Sequence, residues 1–374
     1  MRVLIVVGAY YLGGAEFHAF KLAKYFQQSG HKVEFWVFRE GDGTTKSMCD
    51  EAGIKTRIIT EFNAFLKGGS GYIQKRHYKK IVKSFNPDAI ISFNYGPNVW
   101  NGIIGKLSKV PCLIWSQQSE FKEGWDFNLS KVASNNISVF LSNAKHVSDK
   151  LRERLPVKRP EHDFKVVYNG IEEPIIKNGP EFWQDKFKEF DYTHVVTMVA
   201  NLTQTKDHLT LLKSWCLVLK SVNEKVKPLL VLAGRKGNTH EEVEDWIKKL
   251  EISSSVFVLG PTDDVAGLNN VSHIGVLSSK AEGLPNSVME QMAMGLPIVG
   301  TANDGTKEAV GEVMWEYLSG IEDSENLARN ISLFLNDEDL RAKIGKINKE
   351  RVENYFTVEK MGEGTLSIIK QSLK

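Results

Sequence analysis

Two glutamates eight positions apart, Glu282 and Glu290, frame the run Glu282-Gly283-Leu284-Pro285-Asn286-Ser287-Val288-Met289-Glu290. An apolar stretch from His273 to Leu277 precedes them. Behind them Val288, Met289, Met292 and Ala293 recur at helical spacing until Gly295 and Pro297 end the pattern. The run predicts strand, tight loop and helix. A loop of that kind turns bare N–H groups and the positive end of a helix dipole toward an anion, for which phosphate is the natural guest. The flanking carboxylates suit a ligand that also carries hydroxyls, because a carboxylate accepts hydrogen bonds from sugar hydroxyl groups. Ser287 and Glu290 equally fit the Ser-x-x-Glu capping box, in which the glutamate folds back onto its own helix.

Two further stretches carry chemistry. In Asn201-Leu202-Thr203-Gln204-Thr205-Lys206-Asp207-His208, Lys206 is expected at the start of a helix running through Leu211, Leu212 and Trp215. A cation there opposes the helix dipole, and a ligand phosphate would justify it; a solvated surface lysine is the plainer reading. In Gly8-Ala9-Tyr10-Tyr11-Leu12-Gly13-Gly14-Ala15-Glu16 a strand opens directly into a helix. The glycines do not match G-x-G-x-x-G, which argues against a dinucleotide-binding oxidoreductase. Gly13 and Gly14 would let a ligand approach the backbone, or simply make a turn.

The elements that must position these residues alternate along the chain. Strands are expected at Arg2 to Val7, Lys32 to Phe38, Asp88 to Phe93, Pro111 to Trp115 and Ser138 to Leu141. Helical patterns fall between them at Ala15 to Gln28, Tyr72 to Phe85 and Ala144 to Leu155. The alternation restarts at His194, with strands at Val195 to Val199, Leu229 to Ala233, Val256 to Leu259, Ile274 to Leu277 and Ile298 to Thr301. Strand–helix alternation of this kind builds an α/β fold with parallel sheets covered on both faces. Two Rossmann-like units are therefore expected. They join where the β-run Val166-Val167-Tyr168 meets the turn Asn169-Gly170, giving domains at 1–175 and 176–357. A terminal helix in 358–374 is expected to pack back on the first domain. Open α/β sheets bind ligands beyond the carboxyl ends of their strands, which is where Glu282 and the Gly13-Gly14 loop fall.

Composition bounds the class. A chain of 374 residues with 42% hydrophobic and 25% charged residues has room for two cores. A net charge of +2 does not point to nucleic acid. Cys49, Cys112 and Cys216 are far apart, with neither metal-ligand spacing nor a disulfide framework, which fits a reducing compartment. Met1 to Val7 reads as a strand rather than a signal peptide, and no stretch reaches the roughly 18 apolar residues of a membrane span. A cytoplasmic chain is expected, at most attached to a membrane surface. Asp337-Glu338-Asp339, the Asp-x-Asp run, reads as an N-cap with an acidic first turn, and no metal is expected.

Taken together these pieces resemble the retaining glycosyltransferases of family 4, whose GT-B fold has two facing Rossmann-like domains. The resemblance runs through Gly13-Gly14-Ala15-Glu16, Asn169-Gly170, Lys206, Gly234 and Gly260 to Val265. It is strongest in Ser278 to Val310, where the Glu282 to Glu290 run is followed by Met292-Ala293-Met294-Gly295-Leu296-Pro297-Ile298-Val299, Gly305 and Glu308. The resemblance implies that Glu290 holds the ribose hydroxyls of a nucleotide sugar and that the loop of Gly283, Leu284, Pro285 and Asn286 meets the diphosphate or donor sugar through its amide N–H groups, which proline lacks. It further implies that Glu282 lies beside the transferred sugar and Lys206 neutralises the leaving diphosphate. Gly260 to Val265 would receive the nucleobase, and Gly13-Gly14 would line the cleft from the acceptor side. The nucleotide sugar is then a substrate, and no cofactor is implied.

The chain departs from the family pattern twice. Asn201 and Thr203 stand where a diphosphate-binding arginine is usual, with Arg235 as a candidate substitute at the donor site. Ser116-Gln117-Gln118-Ser119 occupies the region of the usual N-domain histidine, which makes Gln117 an acceptor-side candidate or a buried structural amide. Lost charge stabilisation leaves open a nucleotide-sugar-binding protein without turnover, and the architecture leaves open a nucleotide-sugar epimerase or sugar phosphorylase. Lys75, Arg76, Lys79, Lys80 and Lys83 are interleaved with Tyr72, Ile73, Ile81 and Val82. That pattern gives a helix with cationic and apolar faces, suited either to anionic lipid at the inner face of the membrane or to ordinary packing with its polar side in water. With the lipid reading, the acceptor would be lipid-linked, as in bacterial surface polysaccharide assembly.

Overall fold

The apolar run Val3 to Val7 has no side-chain exposure at all, which only a strand covered on both faces achieves. Its alternate residues feed two cores, as the two-residue period of a strand requires. Val3, Ile5 and Val7 pack with Ala19, Leu22, Ala23 and Phe26, whereas Leu4 and Val6 pack with Trp36, Trp100 and Trp115. The computed structural model describes residues 1–11, 13–59, 70–119 and 127–374, with side chains from residue 75 in its second long helix and from 128 in a later one. Leu12 of the glycine loop, and the side chains of Tyr72 and Ile73, lie outside the described residues.

Two compact units result: residues 1–170 with 357–374, and residues 171–356. Among the described residues the first unit has seven parallel strands: β1 (Arg2–Ala9), β2 (Lys32–Arg39), β3 (Lys55–Ile58), β4 (Ala89–Phe93), β5 (Cys112–Gln117), β6 (Val139–Ser142) and β7 (Phe164–Val166). Their order is β3-β2-β1-β4-β5-β6-β7, so the sheet reverses direction between β1 and β4. Helix α1 (Gly14–Gln28) leaves β1, and α2 (Ser70–Phe85) leads to β4. The run 95–108 combines Tyr95–Trp100, a π-turn Asn101–Gly105 and Lys106–Ser108, and α3 (Phe127–Ser134) follows β5. The terminal helix Val358–Ser372 lies on α1, with Met361, Ile368 and Ile369 in the β1 core.

The second unit has β8 (His194–Val199), β9 (Pro228–Ala233), β10 (Val256–Gly260), β11 (Ile274–Leu277), β12 (Ile298–Thr301) and β13 (Leu318–Ser319) among its described residues. They are parallel, in the order β10-β9-β8-β11-β12-β13, with the reversal between β8 and β11. Helices α4 (His208–Ser221), α5 (Asn286–Ala293), α6 (Asp304–Val310) and α7 (Glu338–Tyr355) matter below. The fold is the expected α/β arrangement of two Rossmann-like parallel sheets. Asp337 caps α7, its carboxylate accepting from the Leu340 N–H at 2.8 Å, as its acidic neighbours predict.

Three local expectations need correction. The junction strand is Phe164–Val166, not Val166 to Tyr168, because its partner β6 pairs Phe140 with Phe164 and Ser142 with Val166. Edge strands β3 and β13 were not expected: Lys-Thr-Arg-Ile and Leu-Ser carry too little apolar alternation, and their pairing with β2 and β12 makes them strands. Helix Pro180–Lys186 was missed too, although Pro180 occupies the first helical turn, where proline is favoured.

Candidate active site

In the second unit the reversal between β8 and β11 opens the crevice in which sheets of this kind take ligands. Two loops converge there, residues 200–207 after β8 and 278–285 after β11. Ser278 Oγ donates to the Lys206 carbonyl at 3.0 Å, and the Lys280 N–H donates to the Thr205 carbonyl at 2.8 Å. This stitching carries Lys206 and Glu282 to one point, with Nζ 2.5 Å from Oε1. Their side chains keep 25% and 12% exposure, enough for a solute to reach the ammonium. The cation therefore has a carboxylate partner within the chain, where the sequence reading supplied only a ligand phosphate.

Lys206 is not the first residue of α4. Gln204–Lys206 form a 3-10 turn, and Asp207, at φ +49°, is the N-cap. Its carboxylate accepts from the Thr210 N–H at 3.4 Å and from the Thr210 hydroxyl at 2.7 Å. The ammonium thus stands ahead of a carboxylate cap and beside a second carboxylate, so the unfavourable dipole contact expected of it is offset locally. His208 follows, 3% exposed, with neither ring nitrogen hydrogen-bonded. Burial and then the Lys206 charge push its imidazole down to about 4, so it is neutral near pH 7.

The other wall is the Glu282 loop and α5. Helix α5 starts at Asn286 with Pro285 as N-cap, and the cap contributes no side-chain hydrogen bond. Ser287 falls inside the first turn, so the capping-box reading of Ser287 and Glu290 does not hold. The earliest bond to the cap is the Met289 N–H to the Pro285 carbonyl at 3.2 Å, and Glu290 follows, half-buried, on the next turn. Behind the loop, a Cβ on Gly305 would stand 2.2 Å from the Gly283 carbonyl oxygen, so only glycine lets α6 approach this closely. Asn303 secures the base: it accepts from the Thr306 N–H at 2.9 Å and donates to the Ser279 carbonyl at 2.9 Å. At the helix's far end Gly295, at φ +76°, makes the stop that the sequence anticipates.

The remaining second-unit candidates are placed as follows. Asn201 Oδ1 accepts from the Arg235 N–H at 3.0 Å, tying the loop after β8 to the loop after β9. Both residues are exposed. At the end of β10, Asp264 is 2% exposed and accepts from the N–H groups of Lys177, Asn178 and Gly267 at 3.1, 2.9 and 2.9 Å. Among the described residues no group of three His, Cys, Asp or Glu side chains is placed to hold a metal.

In the first unit the reversal lies between β1 and β4, and different chemistry occupies it. Asn94, just after β4, donates from Nδ2 to Glu16 Oε1 at 2.8 Å. Burial pushes the Glu16 carboxyl above its ordinary range, against the lowering effect of its backbone and Asn94 hydrogen bonds. Asn94 itself has φ +69° and ψ 160°, a region essentially reserved for glycine. Gly13 is the N-cap of α1, and a Cβ on Gly14 would meet nothing within 4 Å. Gln117 is 5% exposed; its amide donates to the Ser119 carbonyl at 2.6 Å and accepts from Trp115 Nε1 at 3.1 Å. These contacts fit the structural-amide alternative for Gln117.

Two family models match the chain in tandem: Glycosyltransferase Family 4 over residues 12–173 and Glycosyl transferases group 1 over residues 180–351. The structure aligns with that of Anabaena HepE in complex with UDP, with a TM-score of 0.85 at 18% identity, over 99% of this chain and 100% of that one. The chain belongs to glycosyltransferase family 4, with the GT-B fold. Among curated relatives of this glycosyltransferase, a Campylobacter jejuni protein is 25% identical over a 384-residue alignment spanning 99% of each chain. It is named GalNAc-alpha-(1->4)-GalNAc-alpha-(1->3)-diNAcBac-PP-undecaprenol alpha-1,4-N-acetyl-D-galactosaminyltransferase. N-acetyl-alpha-D-glucosaminyl L-malate synthase of Bacillus anthracis is 26% identical over 212 residues, 56% of this chain and 54% of its own length.

Sequence reading of this glycosyltransferase missed the Lys206–Glu282 contact, Asn303, and the Glu16–Asn94 pair. The signal for the first was available in part: both residues follow strands that become neighbours only if the sheet reverses there. No local pattern marks Asn94, whose importance lies in its backbone angles.

Proposed function

We propose that this chain moves a sugar from a nucleotide-sugar donor to a saccharide or lipid-linked saccharide acceptor, with retention of anomeric configuration, in bacterial surface polysaccharide assembly. The observation that carries the reading is the meeting of Lys206 and Glu282 beside a helix start without a side-chain cap. An ammonium and helix N–H groups favour a diphosphate, while the two carboxylates favour hydroxyls.

In this reading the second unit takes the donor. Lys206 shifts its ion pair toward the diphosphate, the amides of Gly283, Leu284 and Asn286 take phosphate oxygens or donor-sugar hydroxyls, and Glu290 accepts from the ribose. The bond from the anomeric carbon to the diphosphate oxygen breaks with its electron pair leaving on the phosphate. The acceptor hydroxyl then bonds to that carbon on the same face and passes its proton to the departing phosphate oxygen. Glu282, released from the lysine, offsets the positive charge that grows at the anomeric carbon. The first unit takes the acceptor, with open backbone at Gly14 and the Glu16–Asn94 pair offering hydroxyl partners. Charge stabilisation then rests on Lys206 and the amides, so no metal is required.

The test is release of nucleoside diphosphate from a panel of nucleotide sugars, with and without saccharide acceptors and with and without a chelator. Acceptor-dependent release unaffected by chelation supports the scheme. Binding of a nucleoside diphosphate without release from any donor favours the non-catalytic reading raised by the absent arginine. Donor conversion without acceptor, or dependence on inorganic phosphate, favours epimerase or phosphorylase chemistry.

A further inference from the structure

Helix α2 has a sharply divided surface. Tyr78 and Val82 are 4% and 0% exposed and pack, with Ile81 and Phe85, into the core that contains Trp36 and Trp100. The apolar face is thus consumed by the protein itself, which is the ordinary-packing alternative of the sequence reading. The opposite face carries Arg76, Lys79, Lys80 and Lys83, at the three- and four-residue intervals that align side chains along a helix.

That cationic face forms one wall of a groove of about 900 Å³. Its other walls come from elements distant in sequence: Ile103, Lys106 and Leu107 of the 95–108 run, and Val132 and Asn136 from α3 and the turn after it. Leu107 and Val132 are 42% and 53% exposed, so aliphatic side chains open to solvent lie beside the cations. Among the described residues the groove lining contains six cations and no carboxylate. Among the described residues Lys79, Lys80, Lys83 and Lys106 make no salt bridge.

We propose that this groove docks the first unit onto an anionic phospholipid bilayer, the lysines meeting headgroup phosphates while Leu107 and Val132 enter the interface between them. Clustered cations beside exposed aliphatic side chains are complementary to a surface that is negative outside and apolar just beneath. A nucleic acid fits less well, because single strands are held by aromatic stacking and, among the described residues, the groove lining contains no aromatic ring. Among the described residues no helix is long and apolar enough to cross a membrane, so contact of this type would be peripheral. The inference stands on the first unit alone and does not depend on the assignment of the donor site.

Flotation of the full chain with phosphatidylcholine vesicles, with and without phosphatidylglycerol, tests it. The expected result is binding to anionic vesicles only, falling as salt is raised. The quadruple variant K79Q/K80Q/K83Q/K106Q should lose about fivefold in partition per lysine, at least about 100-fold in all. L107S/V132S should weaken binding to anionic vesicles while preserving its dependence on salt. Thermal unfolding midpoints matching the parent establish that these surface variants fold, and the parent's own salt dependence tests the idea without any substitution. Equal binding to neutral and anionic vesicles, binding insensitive to salt, undiminished binding by the quadruple variant, or preference for RNA over anionic vesicles would each overturn it.

Discussion

The two sheets reverse at equivalent places, between a first strand and its later neighbour, yet their crevices are charged differently. In the second unit the reversal holds a lysine–glutamate ion pair beside the start of α5, which lacks a side-chain cap. In the first it holds a carboxyl pushed above its usual range and an asparagine in a glycine-type conformation. One backbone plan thus presents a lysine–glutamate ion pair in one unit and a carboxyl hydrogen-bonded to an asparagine in the other. Topology chooses where a ligand goes, and a few side chains choose its chemistry.

Removing the cation should break the contrast most severely. Lys206→Ala is expected to lower kcat/KM for donor turnover by about 100- to 1000-fold, the scale of losing one preorganised charge-stabilising donor. Steady-state kinetics check it, and a loss under threefold would assign Lys206 to stability alone. Next, Glu290→Ala should weaken nucleoside diphosphate binding by about 10- to 100-fold, as for a lost charged hydrogen bond. Titration calorimetry reads this directly, and unchanged affinity would leave Glu290 without a ligand role.

The units share a feature that pH can separate. Each has a buried histidine on the helix after its first strand: His18, pushed down to about 3 by burial first, and His208, pushed down to about 4. An unfolded chain protonates both near 6.5. Between that value and the folded one the unfolded state binds more protons, so stability is full above pH 6.5 and falls as pH drops through the window. His208→Gln should flatten the fall between pH 6.5 and about 4 by about 2–3 kcal/mol, as measured by urea unfolding at several pH values. His18→Gln should flatten a window that extends to about pH 3. Smallest is Asn94→Gly, expected to raise stability by about 1 kcal/mol through relief of backbone strain. A higher acceptor KM in that variant would sharpen the assignment of the first crevice, and a destabilised variant would show that the lost hydrogen bond to Glu16 outweighs the relief of strain.

Much of this architecture is legible in the sequence. Strand–helix alternation located both sheets because each central strand is buried on two faces and must be apolar throughout, as Val3 to Val7 and Ile274 to Leu277 are. Glycine and proline placed the end of α5, and the glutamate run named its loop. Edge strands β3 and β13 escape the sequence pattern because their identity lies in pairing rather than composition. The capping-box reading fails because the helix begins two residues too early for Ser287 to act as its cap.

By itself, then, the chain's pattern of side chains determined which segments are strands and helices, that two α/β units exist, and which short loops carry carboxylates, a lysine and glycines. Only tertiary structure decided that Lys206 meets Glu282 across 76 positions, that Glu16 meets Asn94 across 78, and that α2 spends its apolar face on its own core while Leu107 and Val132 remain open. The physical reason is range. Hydrophobic period, dipoles and backbone preference act over a few residues, whereas these contacts depend on which strands become neighbours and how closely Gly305 lets two elements approach.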